Sequence, residues 1–323
     1  MDMATAVWGN LFSPPILFFA LGIIVSLLKV EVGFPKQVSK AITLYLILAI
    51  GYKGGLSFLS GTMLTPQVAT LFLLAIGFGL LQPLIGFALL KRTSSLSTPD
   101  LASIAAHYGS ISLVTFVTAL SFLNAKGIPF DDYMISLLAI MEAPAIMAGL
   151  YLAKKYQEGK TVQTIDYKKV IYNDTILLLL GSFVVGAVCG DAGKSIMEPV
   201  LITPFQGILA FFLLDMGLKV GVEARQVSVL NFPLIAFGIY MPLIGAAVAL
   251  LTSVLLGLSL GTGMLLITLF ASASYIAVPA AMRLALPEAS PALSLPMALA
   301  ITFPFNILVG IPIYFQLAML FLT

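Results

Sequence analysis

The chain has 323 residues, of which 60% are hydrophobic and 9% are charged, with a net charge of +2. Soluble domains average about 45–50% apolar and about 25% charged residues, so this composition excludes a water-soluble protein. The small net charge gives no reason to expect a nucleic-acid partner, and a single cysteine excludes an internal disulfide. The composition predicts an all-α polytopic membrane protein.

Ten apolar segments are long enough to cross a bilayer, which takes about 20 mainly apolar residues. These predicted spans cover residues 13–29, 38–59, 67–90, 101–123, 132–153, 173–190, 204–222, 230–258, 262–284 and 292–321. No basic stretch precedes the first span and no cleavage site follows it, so we expect it to be retained as a helix.

Lysine and arginine are distributed unevenly between the spans. With the N-terminus outside, twelve of the sixteen face the cytoplasm, namely Lys29, Lys36, Lys40, Lys91, Arg92, Lys154, Lys155, Lys160, Lys168, Lys169, Arg225 and Arg283. The outer loops hold only Lys126 and Lys194. Because cytoplasmic loops carry the excess of positive charge, we expect both termini to be extracytoplasmic.

Four short motifs recur in the same order in the two halves of the chain. They are G-x-K-x-G at 51–55 and 217–221, Pro-Leu-Ile-Gly at 83–86 and 242–245, Ser-x-Ser at 110–112 and 272–274, and x-Pro at 143–144 and 303–304. This order predicts a duplication, with one repeat in residues 1–160 and the other in 161–323. Since each repeat holds five spans, the second enters the membrane from the opposite side and the repeats are inverted.

Inverted repeats are typical of secondary transporters, whose substrates bind near the midplane where the repeats meet. The sequence has no Walker motif, no H-x-x-x-H metal motif and no glycine-rich loop after a strand. We therefore expect a permease that is not an enzyme and has no cofactor.

Small and polar residues concentrate in the fourth and ninth spans. If these helices are discontinuous, their broken ends present free amides to an anion and free carbonyls to a cation. The alternative is that small residues serve close helix packing. The candidate anion site comprises Gly109, Ser110, Ile111, Ser112, Ser272, Ala273, Ser274 and Tyr275.

Ionisable residues inside spans are costly, so each is a candidate for function. Asp215 and Lys219 stand four residues apart and are expected to form a neutralising pair. Lys53 is long enough to reach an interface. His107 is either a proton carrier or a neutral side chain that donates to a backbone carbonyl.

Glu142 has no basic neighbour on its own span and precedes Pro144 by two residues. With Thr115, Thr302 and Asn306 it forms a candidate sodium site, because sodium prefers hard oxygen ligands. The alternative is a protonated structural carboxyl that hydrogen-bonds to a hydroxyl of the fourth span.

Several segments resemble the sodium-dependent bicarbonate transporter family, the SbtA-like permeases first associated with cyanobacterial carbon concentration. The most specific segments are Ala-His-Tyr-Gly-Ser-Ile-Ser at 106–112 with Val-Thr at 114–115, Met-Glu-Ala-Pro-Ala at 141–145, Ala-Ser-Ala-Ser-Tyr-Ile at 271–276, and Arg283 followed by Leu-Pro at 286–287. The resemblance covers essentially the whole chain. It implies a mobile core of spans 3–5 and 8–10, a gate of spans 1, 2, 6 and 7, and a homotrimer in a bacterial plasma membrane. Bicarbonate would bind between spans 4 and 9, beside sodium.

Glu142 stands where the cyanobacterial proteins have an aspartate. Two departures mark a member unlike the cyanobacterial type, because Tyr275 replaces an acidic residue and Leu-Val at 113–114 replaces Gly-Ser. These changes imply an altered cation site or a different anion. The central loop, 154–172, is short, so the resemblance gives no support for a P-II-like regulator here.

The sequence favours a permease that imports bicarbonate by sodium symport through an elevator-like movement. A proton- or sodium-coupled carrier of a small organic anion is the alternative within transport. An anion sensor or scaffold is the alternative from another class, but the central loop is too short for a folded signalling domain.

Overall fold

The computed structural model describes residues 13–30, 32–58, 65–156, 174–225, 230–275, 278–279, 281–282 and 286–322. The regular elements of this part of the chain are all helices, which we number α1 to α11. They are α1 (Pro14–Leu27), α2 (Lys36–Phe58), α3 (Pro66–Thr93), α4 (Thr98–Gly109), α5 (Leu113–Ala125), α6 (Tyr133–Tyr156), α7 (Asp174–Met197), α8 (Phe205–Ala224), α9 (Phe232–Leu256), α10 (Leu260–Phe270) and α11 (Pro291–Phe321).

Several helices begin where a short polar residue precedes a proline. The side chain of Thr65 accepts a hydrogen bond from the amide of Val68, and that of Asn231 accepts one from Leu234. Such residues satisfy amides that have no partner in the first turn, and proline loses nothing there because its missing amide hydrogen has no acceptor. The polar residues between apolar segments therefore fix where these helices start.

The described residues confirm the predicted all-α class. Five helical segments are long and apolar enough to cross a bilayer, namely Pro66–Thr93, Thr98–Ala125, Ala192–Ala224, Phe232–Leu256 and Pro291–Phe321. Three shorter apolar helices cover Pro14–Leu27, Leu177–Gly190 and Leu260–Phe270. The count of ten spans remains a prediction.

Helices α1 and α8 approach each other closely because both carry glycine where they meet. A β-carbon on Gly22 would overlap the carbonyl oxygen of Leu214, and one on Gly217 would overlap that of Phe19. Within a bilayer, lipid is as apolar as leucine, so close backbone contact between small residues holds helices together. These glycines therefore determine the spacing of α1 and α8.

Helices α2 and α7 pack by the same device. A β-carbon on Gly51 would overlap the Leu179 carbonyl oxygen, and one on Gly186 would overlap the Tyr52 carbonyl oxygen. Each of the two pairs, α1 with α8 and α2 with α7, takes one helix from each half of the chain.

The remaining helices form two groups that interlock. Helices α3, α4 and α6 pack against one another, and so do α9, α10 and α11. The rings of Phe78 and Phe270 stack with centroids 3.7 Å apart, and those of Tyr108 and Phe237 meet edge to face at 4.8 Å. Both contacts join a helix of the first half to one of the second.

A polar cluster at the start of α4 ties the two halves together. The Asp100 carboxylate accepts hydrogen bonds from the Ser97 hydroxyl at 2.6 Å and from the amide of Ser290 at 2.7 Å. Ser290 immediately precedes α11, so this carboxylate joins the first turn of α4 to the start of α11.

A second polar cluster lies where α6 and α10 begin. The Thr262 hydroxyl donates to the Asp131 carboxylate at 2.7 Å and accepts from the amide of Asp131 at 2.9 Å, while the Ser259 hydroxyl donates to Thr262 at 3.0 Å. We call the two clusters the Asp100 clasp and the Asp131 clasp. Each fastens a helix of one half to a helix of the other.

Membrane topology is testable with two introduced cysteines. In a Cys189→Ser background, which removes the exposed native thiol, we expect Asp2→Cys and Lys160→Cys to react with an impermeant maleimide from opposite sides. Accessibility in intact and permeabilised cells measures this directly. Reaction of both cysteines from the same side would contradict the odd number of spans in each repeat.

Candidate functional site

Helices α4 and α10 end at buried positions that lie close together, and we call the place where these ends meet the crossing. Helix α4 ends at Gly109 and α5 begins at Leu113, and Ser110 and Ser112 between them have extended backbone. Helix α10 ends at Phe270, and residues 271–275 are not helical. Interrupted helices leave backbone amides and carbonyls that other groups must satisfy.

The structure brings the two Ser-x-Ser segments together. The amide of Ser112 donates to the Ser272 hydroxyl at 2.9 Å, and the amide of Ser274 donates to the His107 carbonyl at 2.8 Å. Nδ1 of His107 lies 2.6 Å from the Ser274 carbonyl oxygen, so it carries the proton and donates. This contact is the donation to a backbone carbonyl that was one of the two alternatives for His107.

Three of the four serines already have structural hydrogen bonds. Ser112 caps α5, because its hydroxyl oxygen accepts from the amide and the hydroxyl of Thr115 at 3.2 and 3.0 Å. The Ser274 oxygen accepts from the amide of Val278 at 3.3 Å, and the Ser272 hydroxyl donates to the Leu269 carbonyl at 2.8 Å. Helix capping therefore accounts for part of the polarity of this region.

Three buried polar atoms at the crossing have no hydrogen-bond partner among the described residues. They are the Ser110 hydroxyl, Nε2 of His107 and the Tyr275 hydroxyl. Tyr275 is 7% exposed, and its hydroxyl faces the Ser112 side chain without reaching hydrogen-bond distance. Since buried polar groups are almost always hydrogen-bonded, these three atoms are available to a ligand.

Gln82, on α3, is a site residue that the sequence reasoning missed. Its side-chain amide donates to the Tyr108 carbonyl at 2.8 Å and to the Phe270 carbonyl at 3.3 Å. It thus satisfies carbonyls at the ends of both α4 and α10. The available signal was a glutamine in the middle of an apolar span, directly before Pro83.

Gly109 has a packing role at the crossing. A β-carbon at this position would overlap the ring of Pro83 and lie 3.2 Å from the β-carbon of Ala145. Ile111 and Ala273 are both buried. These three candidate residues bring their backbone to the crossing and have no polar side chain.

The candidate sodium ligands are held by other hydrogen bonds. The Thr302 hydroxyl donates to the Gly238 carbonyl at 2.6 Å, so at 2.7 Å it accepts from the Tyr108 hydroxyl. The Asn306 side chain donates to the Ala271 carbonyl at 2.8 Å and accepts from the Tyr314 hydroxyl at 2.7 Å.

The Glu142 side chain lies outside the described part of the structure. The Thr115 hydroxyl donates to Ser112. No described hydrogen bond joins Thr115 to Thr302 or Asn306, which have other partners. The described residues contain no cluster of three His, Cys, Asp or Glu side chains that could hold a metal. Among the described residues, a sodium ion here would find hydroxyl, amide and carbonyl oxygens.

The predicted ion pair on α8 is confirmed. Nζ of Lys219 lies 2.6 Å from Oδ2 of Asp215, whose side chain is 4% exposed, whereas the lysine side chain is 45% exposed. The buried carboxylate thus has its counter-ion on its own helix, one turn away.

One comparison with known proteins identifies a family. A family model described as the Na+-dependent bicarbonate transporter superfamily matches residues 14–319. No curated protein matches the chain significantly. The family match covers both halves of the crossing and every candidate site residue.

Proposed function

Since the chain belongs to the Na+-dependent bicarbonate transporter superfamily, we propose that it is a secondary active permease that imports bicarbonate by sodium symport. The observation that carries this proposal is the crossing of the two interrupted helices at Ser112 and Ser272. Backbone amides and hydroxyls meet there in a buried setting, which suits an anion.

The crossing suits a small monovalent anion better than a larger one. Residues 107–115 and 269–275 contain no lysine or arginine. A dicarboxylate or a phosphate ester normally calls for a bidentate arginine partner. Bicarbonate needs fewer contacts, and the unpartnered hydroxyls of Ser110 and Tyr275 would donate to its oxygens. The same groups would suit a small organic monocarboxylate.

We further propose an elevator-like movement of a core, α3–α6 with α9–α11, against a gate formed by α1, α2, α7 and α8. The packing supports this division, because the glycine contacts pair gate helices with each other. The two clasps and the stacked aromatic rings join the two halves of the core. A core fastened in this way would move as one body.

The inverted repeat receives support from paired contacts that the sequence motifs did not include. Gly22 and Gly186 are 164 residues apart, and both are gate glycines at a close contact with a helix of the other half. Asp100 and Thr262 are 162 residues apart, and each follows a serine by three residues at the start of α4 or α10. These offsets lie within two residues of the offset of 162 between the Ser-x-Ser segments.

For coupling, we propose that sodium binds near Glu142 with Thr115, Thr302 and Asn306. Occupancy would require Thr302 and Asn306 to use lone pairs that remain after their present hydrogen bonds. The extracytoplasmic termini, the homotrimer and the bacterial plasma membrane belong to the same proposal.

Uptake of radiolabelled bicarbonate into proteoliposomes tests this function. With sodium and pH gradients imposed separately, we expect the sodium gradient alone to drive accumulation, and Glu142→Gln to weaken the dependence on sodium. Liposomes without protein are the control. Accumulation driven by the pH gradient alone would show that protons, and not sodium, are the coupling ion. Uptake of organic monocarboxylates but not of bicarbonate would show that the proposed substrate is wrong.

A further inference from the structure

A cavity of about 850 Å³ lies between the gate and the core. The gate contributes residues of α2, α7 and α8, and the core contributes Tyr275, Leu295 and Leu299. Its walls are mostly apolar. The cavity therefore connects exposed gate residues with the buried crossing, because Tyr275 belongs to both.

The charged residues of this cavity are mainly basic. They are Lys36, Lys40 and Lys219, with Glu223 as the acidic member. Lys219 is neutralised by its ion pair with Asp215. Lys36 and Lys40 are exposed and stand one turn apart at the start of α2, whose first turn has no acidic residue. The positive end of the helix dipole adds to their charge.

The buried end of the cavity offers a hydrogen-bond donor. Tyr275 lines the cavity, and its buried hydroxyl has no partner within hydrogen-bond distance among the described residues. An anion that enters past the lysines would meet this donor, which lies beside Ser112. The cavity thus has positive charge at its mouth and an available donor at its inner end.

We propose that this cavity is an anion vestibule, in which Lys36 and Lys40 concentrate small monovalent anions on the lysine-rich side of the protein and direct them to Tyr275. The inference rests on the proposed function for the identity of the anion, and it adds the route by which the anion reaches or leaves the crossing. Charged walls around a cleft of low dielectric focus the field and raise the local concentration of counter-ions.

The charge of the vestibule can be measured without transport. Thr43 lines the cavity one turn beyond Ser39, so Thr43→Cys in a Cys189→Ser background places a thiol inside it. The experiment compares reaction rates of this thiol with an anionic and a cationic methanethiosulfonate. Lys36→Gln with Lys40→Gln should lower the ratio of the anionic to the cationic rate about 3- to 10-fold at about 10 mM salt, and little at about 300 mM.

A matched control removes two charges elsewhere on the same predicted side. Lys91 and Lys154 are exposed and do not line the cavity, so Lys91→Gln with Lys154→Gln should leave the rate ratio within about twofold of its starting value. An unchanged ratio in the Lys36 and Lys40 variant, or an equal fall in the control, would overturn the vestibule.

Bicarbonate transport then separates this inference from the proposed function. In the double variant of Lys36 and Lys40 we expect the half-saturating bicarbonate concentration to rise about 3- to 10-fold at low salt when measured from the lysine-rich side, with the maximal rate unchanged. An unchanged half-saturating concentration would overturn the steering role. If the wild-type protein carries no bicarbonate while the thiol ratios behave as expected, the proposed substrate fails and the anion vestibule stands.

Discussion

Ser112→Val and Ser274→Val are expected to abolish transport while the protein still folds. Both side chains are almost fully buried at the crossing, and valine places a methyl group where a small anion would lie. Each change also removes a cap, of the Thr115 amide or the Val278 amide, which costs about 1 kcal/mol of stability. Valine suits the apolar surroundings and the non-helical backbone at both positions, so this loss should leave folded protein.

Alanine at the same positions should have a milder effect. Loss of one neutral hydrogen bond costs about 0.5–1.5 kcal/mol, so Ser112→Ala or Ser274→Ala should weaken binding several-fold to about tenfold. Ser253→Ala is the matched control, since Ser253 is equally buried but bonds to Ala249 within α9. Uptake rates are compared for variants that remain monodisperse in detergent. Wild-type uptake rates in both valine variants would show that these serines only cap helices and do not bind the anion.

Gly109→Ala is expected to destabilise the protein severely. The added β-carbon would overlap Cγ and Cδ of Pro83, and a proline ring inside α3 has no flexible end that moves aside. Overpacking of this kind costs about 1–3 kcal/mol and shifts neighbouring backbone. The shift would occur next to Gln82, which bonds to the ends of both α4 and α10. The thermal unfolding temperature in detergent and the rate of bicarbonate uptake should both fall.

A second glycine of the same region provides the control. A β-carbon on Gly77 meets nothing within 4 Å, so Gly77→Ala should be neutral or slightly stabilising, as alanine favours a helix. Pro83→Ala in the Gly109→Ala background should restore part of the stability, because it removes the overlapping atoms. Wild-type unfolding temperature in Gly109→Ala would show that the contact with Pro83 is not tight.

The main elements of the candidate site could be predicted because each leaves a local signal. Apolar length marks a helix that crosses the bilayer, and a spacing of four residues marks the pair of Asp215 and Lys219. The recurrence of Ser-x-Ser in both halves predicted that Ser112 and Ser272 lie together. In these cases the residues that form the pattern in the sequence are the same residues that form the structural feature.

For other contacts the sequence does not identify the partner. The amide of Gln82 and the carboxylates of Asp100 and Asp131 bond to groups far away in the sequence, and no periodicity records such a partner. The caps made by Ser112 and Ser274 depend on where a helix restarts, which apolar length alone does not give. The cation site stays a prediction, since the Glu142 side chain lies outside the described residues.

The way the gate helices pair has a consequence for biosynthesis. Gly22 meets a helix that is made about 190 residues later in the chain, and Gly51 meets one that follows by about 130 residues, so neither contact can form while the first half alone is inserted. Until α7 and α8 arrive, the glycine faces of α1 and α2 are exposed to lipid, and helix association must wait for insertion to finish. The inserted first half therefore lacks the helix contacts of α1 and α2, and these form only when α7 and α8 of the second half are inserted.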